Sequence, residues 1–157
     1  MRILYSDQPR FRPEESGQSI FLAGPTPRES GTPSWRPDAI DRLRQLDFTG
    51  YVLIPERSDW SVQFDYVDQT EWEFAGLENA GCIVFWIPRK METMPALTTN
   101  VEFGRYCHRK NVVYGRPEEA DNIRYLDWLF QRVNPEKGNG PFSTLHETLE
   151  QAVRILS

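Results

Sequence analysis

Residues 82–88 read Cys-Ile-Val-Phe-Trp-Ile-Pro and form the most apolar segment of the chain. A short, continuous apolar run that ends at a proline is typical of a strand buried on both faces, as strands of parallel sheets are. We therefore predict a central strand here. Weaker strand patterns occur on either side of it, at residues 19–24, 51–55 and 112–114.

Helical patterns separate these strands. Ser34 is a good N-cap for a helix whose apolar positions Ile40, Leu43 and Leu46 share one face. Strands that alternate with helices form parallel βαβ units, so the sequence predicts an α/β fold with an open, doubly wound, mainly parallel sheet of four to five strands and helices on both faces. The other predicted helices cover about residues 65–80, 98–110, 118–132 and 143–156.

Length and charge limit the classes of protein. A chain of 157 residues suits a single domain, residues 1–157, in which we assign residues 1–17 to a leader or arm. The net charge of −5 disfavours nucleic acid or an anionic membrane as partner and favours a small polar ligand. With no apolar run of ~20 residues and no signal-peptide pattern, we expect a cytoplasmic protein, with Cys82 and Cys107 as reduced thiols.

Common cofactor motifs are absent from the sequence. It contains neither a phosphate-binding Gly-x-x-x-x-Gly-Lys-Ser/Thr loop nor a dinucleotide-binding Gly-x-Gly-x-x-Gly after the first predicted strand. His108 and His146 form no metal or nucleophile pattern. We expect no cofactor and no metal site. The remaining candidates for chemistry are carboxylates near the carboxyl ends of the strands, where doubly wound sheets bind ligands.

Glu102 lies in the motif Thr-Thr-Asn-Val-Glu-Phe-Gly, residues 98–104. Thr99-x-x-Glu102 matches a capping box, and so do Thr70-x-x-Glu73 and Thr144-x-x-Glu147, so the pattern alone leaves a capping role and a chemical role open. We expect Glu102 on the first turn of the helix after the central strand, where the helix dipole favours the ionised form of a carboxyl group. Gly104 is expected to let this helix approach the sheet or a ligand closely.

Glu73 is the second candidate. Glu73, Leu77 and Ala80 share one helical face, which we expect to look toward the sheet. A carboxylate on such a face is costly unless it has a partner or a task. Trp72 beside it is either a pocket wall or part of the core.

Several segments in a fixed order carry a resemblance to a known family. They are Ile-Phe-Leu-Ala-Gly-Pro-Thr-Pro-Arg at 20–28, Ser-Trp-Arg-Pro at 34–37, Trp-Glu at 72–73 with Leu77, Ile-Val-Phe-Trp-Ile-Pro-Arg at 83–89, and Thr-Thr-Asn-Val-Glu-Phe-Gly at 98–104. Together they resemble the nucleoside 2-deoxyribosyltransferase-like family, from residue 19 to about residue 130.

The resemblance implies a flavodoxin-like fold and a displacement with retention at the anomeric carbon of a deoxynucleoside. It implies that Glu102, in a Glu-x-Gly motif, is the nucleophile and that Glu73 is the second acid. The better-known transferases have Tyr in place of Phe21 and Asp in place of Gly81 and Ala96, which puts this chain in a divergent branch. With these departures in mind, the candidate substrate-binding residues are Gly24, Pro25, Thr26, Arg28, Trp35, Trp72, Arg89, Thr99, Asn100 and Gly104.

Three functions remain open at this point. A second base as acceptor gives a transferase, whereas water gives an N-glycoside hydrolase, and related hydrolases act on nucleoside 5′-monophosphates. Arg28, Arg36 and Arg89 are candidates for holding a phosphate, and Trp35, Trp72 and Trp86 for stacking on a base. The third function is a nucleotide-binding sensor without turnover. The partner is a small nucleoside or nucleotide in each case, and the resemblance implies a homo-oligomer.

Overall fold

The computed structural model describes residues 1–9, 11–28, 31–61, 63, 65–135 and 138–157. Its sheet has five parallel strands in the order β1-β3-β2-β4-β5. The strands are β1 (Arg2–Tyr5), β2 (Ser19–Ala23), β3 (Tyr51–Ile54), β4 (Cys82–Trp86) and β5 (Val112–Gly115). The helices are α1 (Arg36–Gln45), α2 (Tyr66–Asn79), α3 (Leu97–Tyr106), α4 (Arg124–Val133) and α5 (Leu145–Leu156), with a short 3-10 helix at Pro13–Gln18.

Helices cover both faces of the sheet. Along β4 the side chains alternate: Cys82, Val84 and Trp86 pack with α1 and α5, whereas Ile83 and Phe85 pack with α2, α3 and α4. All five β4 residues are buried, which explains why the strand reads as a continuous apolar run. The predicted α/β, flavodoxin-like, doubly wound fold with helices on both faces is confirmed.

Strand order reverses direction at β2. The chain moves from β2 outward to β3 and then returns to β4 on the other side of β2. The crevice beyond the carboxyl ends of β2 and β4 is therefore the topological switch point, where doubly wound sheets bind ligands.

The sequence missed one strand. Residues 2–5, assigned to a leader or arm, form β1 and pair in parallel with β3, from Arg2 opposite Tyr51 to Tyr5 opposite Ile54. Its side chains are exposed or only partly buried, as on an edge strand, so the segment lacks the apolar run that marks the inner strands. Residues 29 and 30 of the loop after β2, and Lys137 in the turn before α5, lie outside the described residues.

Helix starts also differ from the predictions. Helix α1 begins at Arg36, and the Ser34 hydroxyl accepts a hydrogen bond from the Arg36 amide at 3.2 Å. Of the three Thr-x-x-Glu patterns, only Thr144 with Glu147 forms a cap: Thr144 is the N-cap of α5, and its Oγ1 accepts from the Glu147 amide at 3.2 Å.

Both cysteines are buried and free, as predicted. In the described part of the chain, no helix combines the length and the apolar character that crossing a membrane requires.

Candidate active site

A cavity of about 560 Å³ opens at the carboxyl ends of β2 and β3, between α2 and α3. Its floor is the loop that follows β2, and its walls are α2, Pro55 after β3, Trp60, and α3 with the preceding Ala96. The predicted residues that line it are Gly24, Pro25, Thr26, Arg28, Glu73, Thr99 and Glu102. The two carboxyl groups proposed for chemistry thus share one cavity.

Gly24 forms the turn from β2 into the cavity floor. Its φ of +152° and its contacts both require glycine, because a Cβ here would lie 2.1 Å from the Trp86 carbonyl oxygen and 2.9 Å from the Trp35 ring. The loop thus lies directly against the end of β4 and turns at once into the cavity.

A buried arginine holds this floor in place. The Arg36 guanidinium donates to the carbonyl oxygens of Leu22 at 3.2 Å and Gly24 at 2.8 Å. It also donates to Thr26 Oγ1 at 3.1 Å and forms an ion pair with Glu56 at 2.6 Å. Arg36 is 1% exposed, so the phosphate-binding role considered for it has no open donor to offer.

Glu73 lies on the cavity side of α2, one turn before Leu77. Its Oε1 accepts a hydrogen bond from Gln69 Nε2 at 2.9 Å, and Gln69 in turn accepts from Arg57 Nε at 3.1 Å. Burial raises the pKa of Glu73, against the opposing effects of the Gln69 bond and the Arg36 charge. Thr70 lies inside α2, whose N-cap is Asp65, so the Thr70-x-x-Glu73 pattern does not cap this helix.

Glu102 is on the second turn of α3, not the first. The helix begins at Leu97 after Ala96, whose left-handed φ of 59° ends the preceding loop, and no side chain caps it. The Thr99–Glu102 capping box is therefore wrong. Burial, together with the nearby charge of Glu73, raises the pKa of Glu102 to about 7, although Arg36 opposes this. The expected preference for the ionised form is overturned because burial and the Glu73 charge raise the pKa, while the helix dipole acts only within the first turn.

Gly104 does not have the predicted role in close packing. It is exposed on α3, and no atom lies within 4 Å of where its Cβ would stand. Nor does it line the cavity.

Aromatic side chains form the mouth of the cavity. Trp60, Tyr66 and Phe74 line it and are 63%, 79% and 47% exposed. The Arg57 guanidinium lies 5.4 Å from the Trp60 ring centroid. These residues are hard to predict from the sequence because they stand in a polar loop and on an exposed helix face, where their aromatic character is the only signal.

The tryptophans predicted to stack on a base lie elsewhere. Trp35, Trp72 and Trp86 are 8%, 3% and 6% exposed, and none lines the cavity. Trp35 donates to the Pro25 carbonyl oxygen at 3.1 Å, and Trp72 packs against Phe21 with ring centroids 6.2 Å apart. Trp72 belongs to the core on one face of the sheet, and Trp35 and Trp86 belong to the core on the other. The three rings therefore support the site without lining it.

Arg89 and Asn100 are also outside the cavity. Arg89 is 3% exposed and donates to Asn122 O at 2.9 Å and to Asn100 Oδ1, which ties the end of β4 to α3. Arg28, by contrast, is exposed and lines the cavity. Of the arginines considered for a phosphate, it alone combines those two properties.

Among the described residues, no group of three or more His, Cys, Asp or Glu side chains could hold a metal ion. The arrangement offers two carboxyl groups of raised pKa, a buried cation and an aromatic mouth. Such a site can hold and exchange protons next to a bound ligand.

These features define a class: a doubly wound α/β protein with a small-molecule cavity that lies at the carboxyl ends of the strands and holds two carboxyl groups. A family model described as nucleoside 2-deoxyribosyltransferase like matches residues 17–120. Since the match covers more than half of the sequence, the chain belongs to this family, and membership supports a function of the glycosyl-transfer type. Nothing among curated proteins matches the sequence significantly.

Proposed function

We propose that this protein is an enzyme that transfers the sugar of a deoxynucleoside, with retention, through a covalent ester to Glu102. The observation that carries the proposal is the pair Glu73 and Glu102, two carboxyl groups of raised pKa in one cavity of about 560 Å³. Retaining glycosyl transfer needs such a pair, one group as nucleophile and one as proton donor.

The first step breaks the bond between C1′ and the base nitrogen. A carboxylate oxygen of Glu102 attacks C1′ as the C1′–N electron pair moves to the base, and Glu73 gives its proton to the departing nitrogen. The second step reverses this chemistry: an acceptor attacks C1′, the ester breaks, and Glu73 takes up a proton from the acceptor. The productive enzyme thus carries one proton on the coupled pair. The charge of Glu73 raises the pKa of Glu102, so Glu102 holds this proton at rest, and the proton must lie on Glu73 when the carboxylate of Glu102 attacks.

The rest of the cavity suits a nucleoside. The rings of Trp60, Tyr66 and Phe74 offer flat apolar surfaces for a base at the mouth. Thr26 in the floor and Thr99 on α3 also line the cavity, and a hydroxyl group is the kind of hydrogen-bond partner that a sugar needs. Ala96 also lines the cavity, so this position offers no carboxylate to the sugar.

A second candidate is hydrolysis of a nucleoside 5′-monophosphate, with water as acceptor. Arg28 favours it, because its exposed guanidinium lies in the wall of the cavity and arginine binds phosphate well. Arg28→Ala should then raise KM for a 5′-monophosphate at least tenfold and leave KM for the nucleoside within about twofold.

The assay incubates a deoxynucleoside, or its 5′-monophosphate, with and without a competing free base and separates the products by chromatography. We expect base exchange, and Glu102→Ala should lower it by at least about a thousandfold. Glu71→Gln is the matched control, because Glu71 is exposed on α2 and outside the cavity. Binding without any product would contradict the proposal and support a sensor.

A further inference from the structure

The buried positive charge of Arg36 acts on both carboxyl groups of the site, and the proposed chemistry leaves it without a task. Arg36 is among the largest fully buried side chains of the described residues, and removing a guanidinium from water is costly unless its donors and its charge find partners. Its donors do: they reach Leu22 O, Gly24 O, Pro25 O, Thr26 Oγ1 and Glu56 Oε1 at 2.6–3.4 Å.

These contacts connect two strand ends to the cavity. Leu22, Gly24 and Thr26 belong to the end of β2 and the floor of the cavity, and Glu56 follows β3. The guanidinium carbon also lies over the Trp35 ring, 4.8 Å from its centroid. The guanidinium group is therefore packed against this ring in addition to its hydrogen bonds. A side chain fixed on so many sides is a rigid source of positive potential.

Its charge acts on both carboxyl groups of the site. Glu56 balances Arg36 at 2.6 Å, but the Arg36 charge still favours the ionised forms of Glu73 and Glu102 and so opposes the effect of burial on the pKa of each. Among the described residues, the other charged or titratable groups around the pair are Arg28, Arg57, Tyr66, Arg105 and Tyr106. Arg105 is already paired with Glu78, which also accepts from the Tyr106 hydroxyl.

We propose that Arg36 is a positioning residue of the active site, whose buried guanidinium fixes the cavity floor and whose charge holds one negative charge on the Glu73–Glu102 pair. The inference rests on the proposed function, since that function gives the Glu73–Glu102 pair its catalytic task. Without the cation, burial and mutual repulsion would keep both carboxyl groups protonated to higher pH. The Glu102 carboxyl group would then be protonated, and unable to attack, over more of the pH range in which the enzyme works.

The test compares Arg36→Lys with Arg36→Gln. Both lose the planar fork, but only lysine keeps the charge. We expect kcat to fall at least tenfold in both, and the pH profile of kcat/KM to move to higher pH by about 0.5 unit or more in Arg36→Gln alone. Equal losses with unmoved profiles would show that Arg36 only holds the fold together and would overturn the proposal.

Glu56→Gln keeps the test decisive even where substitution of Arg36 prevents folding. Glutamine can still accept from Arg36 and Ser34, but it no longer balances the cation, so the profile should move to lower pH by a few tenths of a unit. Asp41→Asn, which removes a negative charge from the exposed Arg44 pair on α1, is the matched control and should move nothing. A Glu56→Gln profile identical to the control would count against the inference.

A carboxyl titration followed by 13C NMR on glutamate-labelled protein separates this inference from the proposed function. Glu73→Gln and Glu102→Gln assign the two resonances. Moved titrations in Glu56→Gln or Arg36→Gln without any turnover would support the Arg36 role and contradict the enzyme. Turnover by the unaltered protein, with carboxyl titrations that do not move in the variants, would support the enzyme and contradict the Arg36 role.

Discussion

The raised pKa of Glu102 shows how strongly burial and a neighbouring charge control a carboxyl group on a helix. Sequence alone predicts Glu73 and Glu102 as the paired acids, and both line the cavity. It does not predict their ionisation, because this depends on burial and on distant partners. Arg36 is far from either in sequence, and the helix start that would have favoured an ionised Glu102 falls a turn too early.

Glu102→Gln should stabilise the protein at high pH. The pKa of Glu102 lies at about 7 in the folded chain, against an ordinary 4.5, so folding holds a proton that the unfolded chain releases. Native stability therefore falls as pH rises from about 4.5 to 7, and the cost stays in full above 7. With about 1.4 kcal/mol per pKa unit, the variant should gain up to about 3.5 kcal/mol at pH 8.

Urea denaturation at pH 4 and pH 8 measures this gain. The difference in the free energy of unfolding between Glu102→Gln and the unaltered protein should vanish at pH 4, because the side chain at position 102 is then neutral in both proteins. The exposed Glu71→Gln on α2 provides the control and should show no such dependence. If Glu102→Gln were less stable than the unaltered protein at pH 8, Glu102 would not be a buried carboxyl group of raised pKa.

Glu73 gives a prediction about leaving groups. If Glu73 protonates the departing base, kcat/KM should fall as pH rises through about 7, where the pair loses its last proton. Glu73→Gln should lower turnover of natural nucleosides by about 10²–10⁴-fold, the usual value of a general acid. A 2-deoxyriboside of nitrophenol, whose leaving group departs as an anion, should retain most of its rate. An equal loss on both substrates would leave Glu73 only an orienting role.

At the scale of the elements, strands were easier to predict than helix starts. The inner strands have apolar side chains on both faces, and this pattern does not depend on where each strand begins or ends. The Thr-x-x-Glu pattern occurs at the start of α5, where it caps, and inside α2 and α3, where it does not. The loops before α2 and α3 decide where those helices begin, and their conformation depends on tertiary contacts.

Two glycines in adjacent helices should respond oppositely to alanine. A Cβ on Gly76 of α2 would stand 2.7 Å from the buried Phe21 ring, whereas a Cβ on Gly104 of α3 would meet nothing within 4 Å. Gly76→Ala should therefore cost about 1–3 kcal/mol by overpacking and lower activity, since it pushes the helix of Glu73 from the sheet. Gly104→Ala should gain about 0.5–1 kcal/mol from helix propensity.

Thermal unfolding and the base-exchange assay measure both effects. The Gly104→Ala variant controls for the added methyl group itself. Similar stability changes in the two variants would contradict the close packing of α2 on β2.

At the scale of the whole molecule, the sheet order and its switch point follow from the alternation of strands and helices, and they predict the edge at which the cavity lies. The edge strand β1 could not be predicted in this way. Its side chains are partly exposed, and its place beside β3 is set by pairing across the sheet. The homo-oligomer stays a prediction, which sedimentation measurements can decide.

Removal of residues 1–5 should destabilise the sheet. The truncated chain would lose the hydrogen bonds between β1 and β3 and the packing of Leu4 on the core, and it would leave β3 as an open edge. We expect a lower urea midpoint and concentration-dependent aggregation, measured by light scattering. Removal of Ser157, which is exposed after α5, is the control. An unchanged midpoint in the chain without residues 1–5 would mean that this segment is only an arm.

The central claim is that Glu102 forms a covalent bond to the sugar. A 2-fluoro analogue of a deoxynucleoside slows breakdown of the glycosyl ester, so intact-protein mass spectrometry can detect it. We predict a mass increase equal to one fluorinated sugar, located by digestion on the peptide that contains Glu102 and absent from Glu102→Gln. An adduct on another residue, or product formed with no adduct at all, would contradict the account.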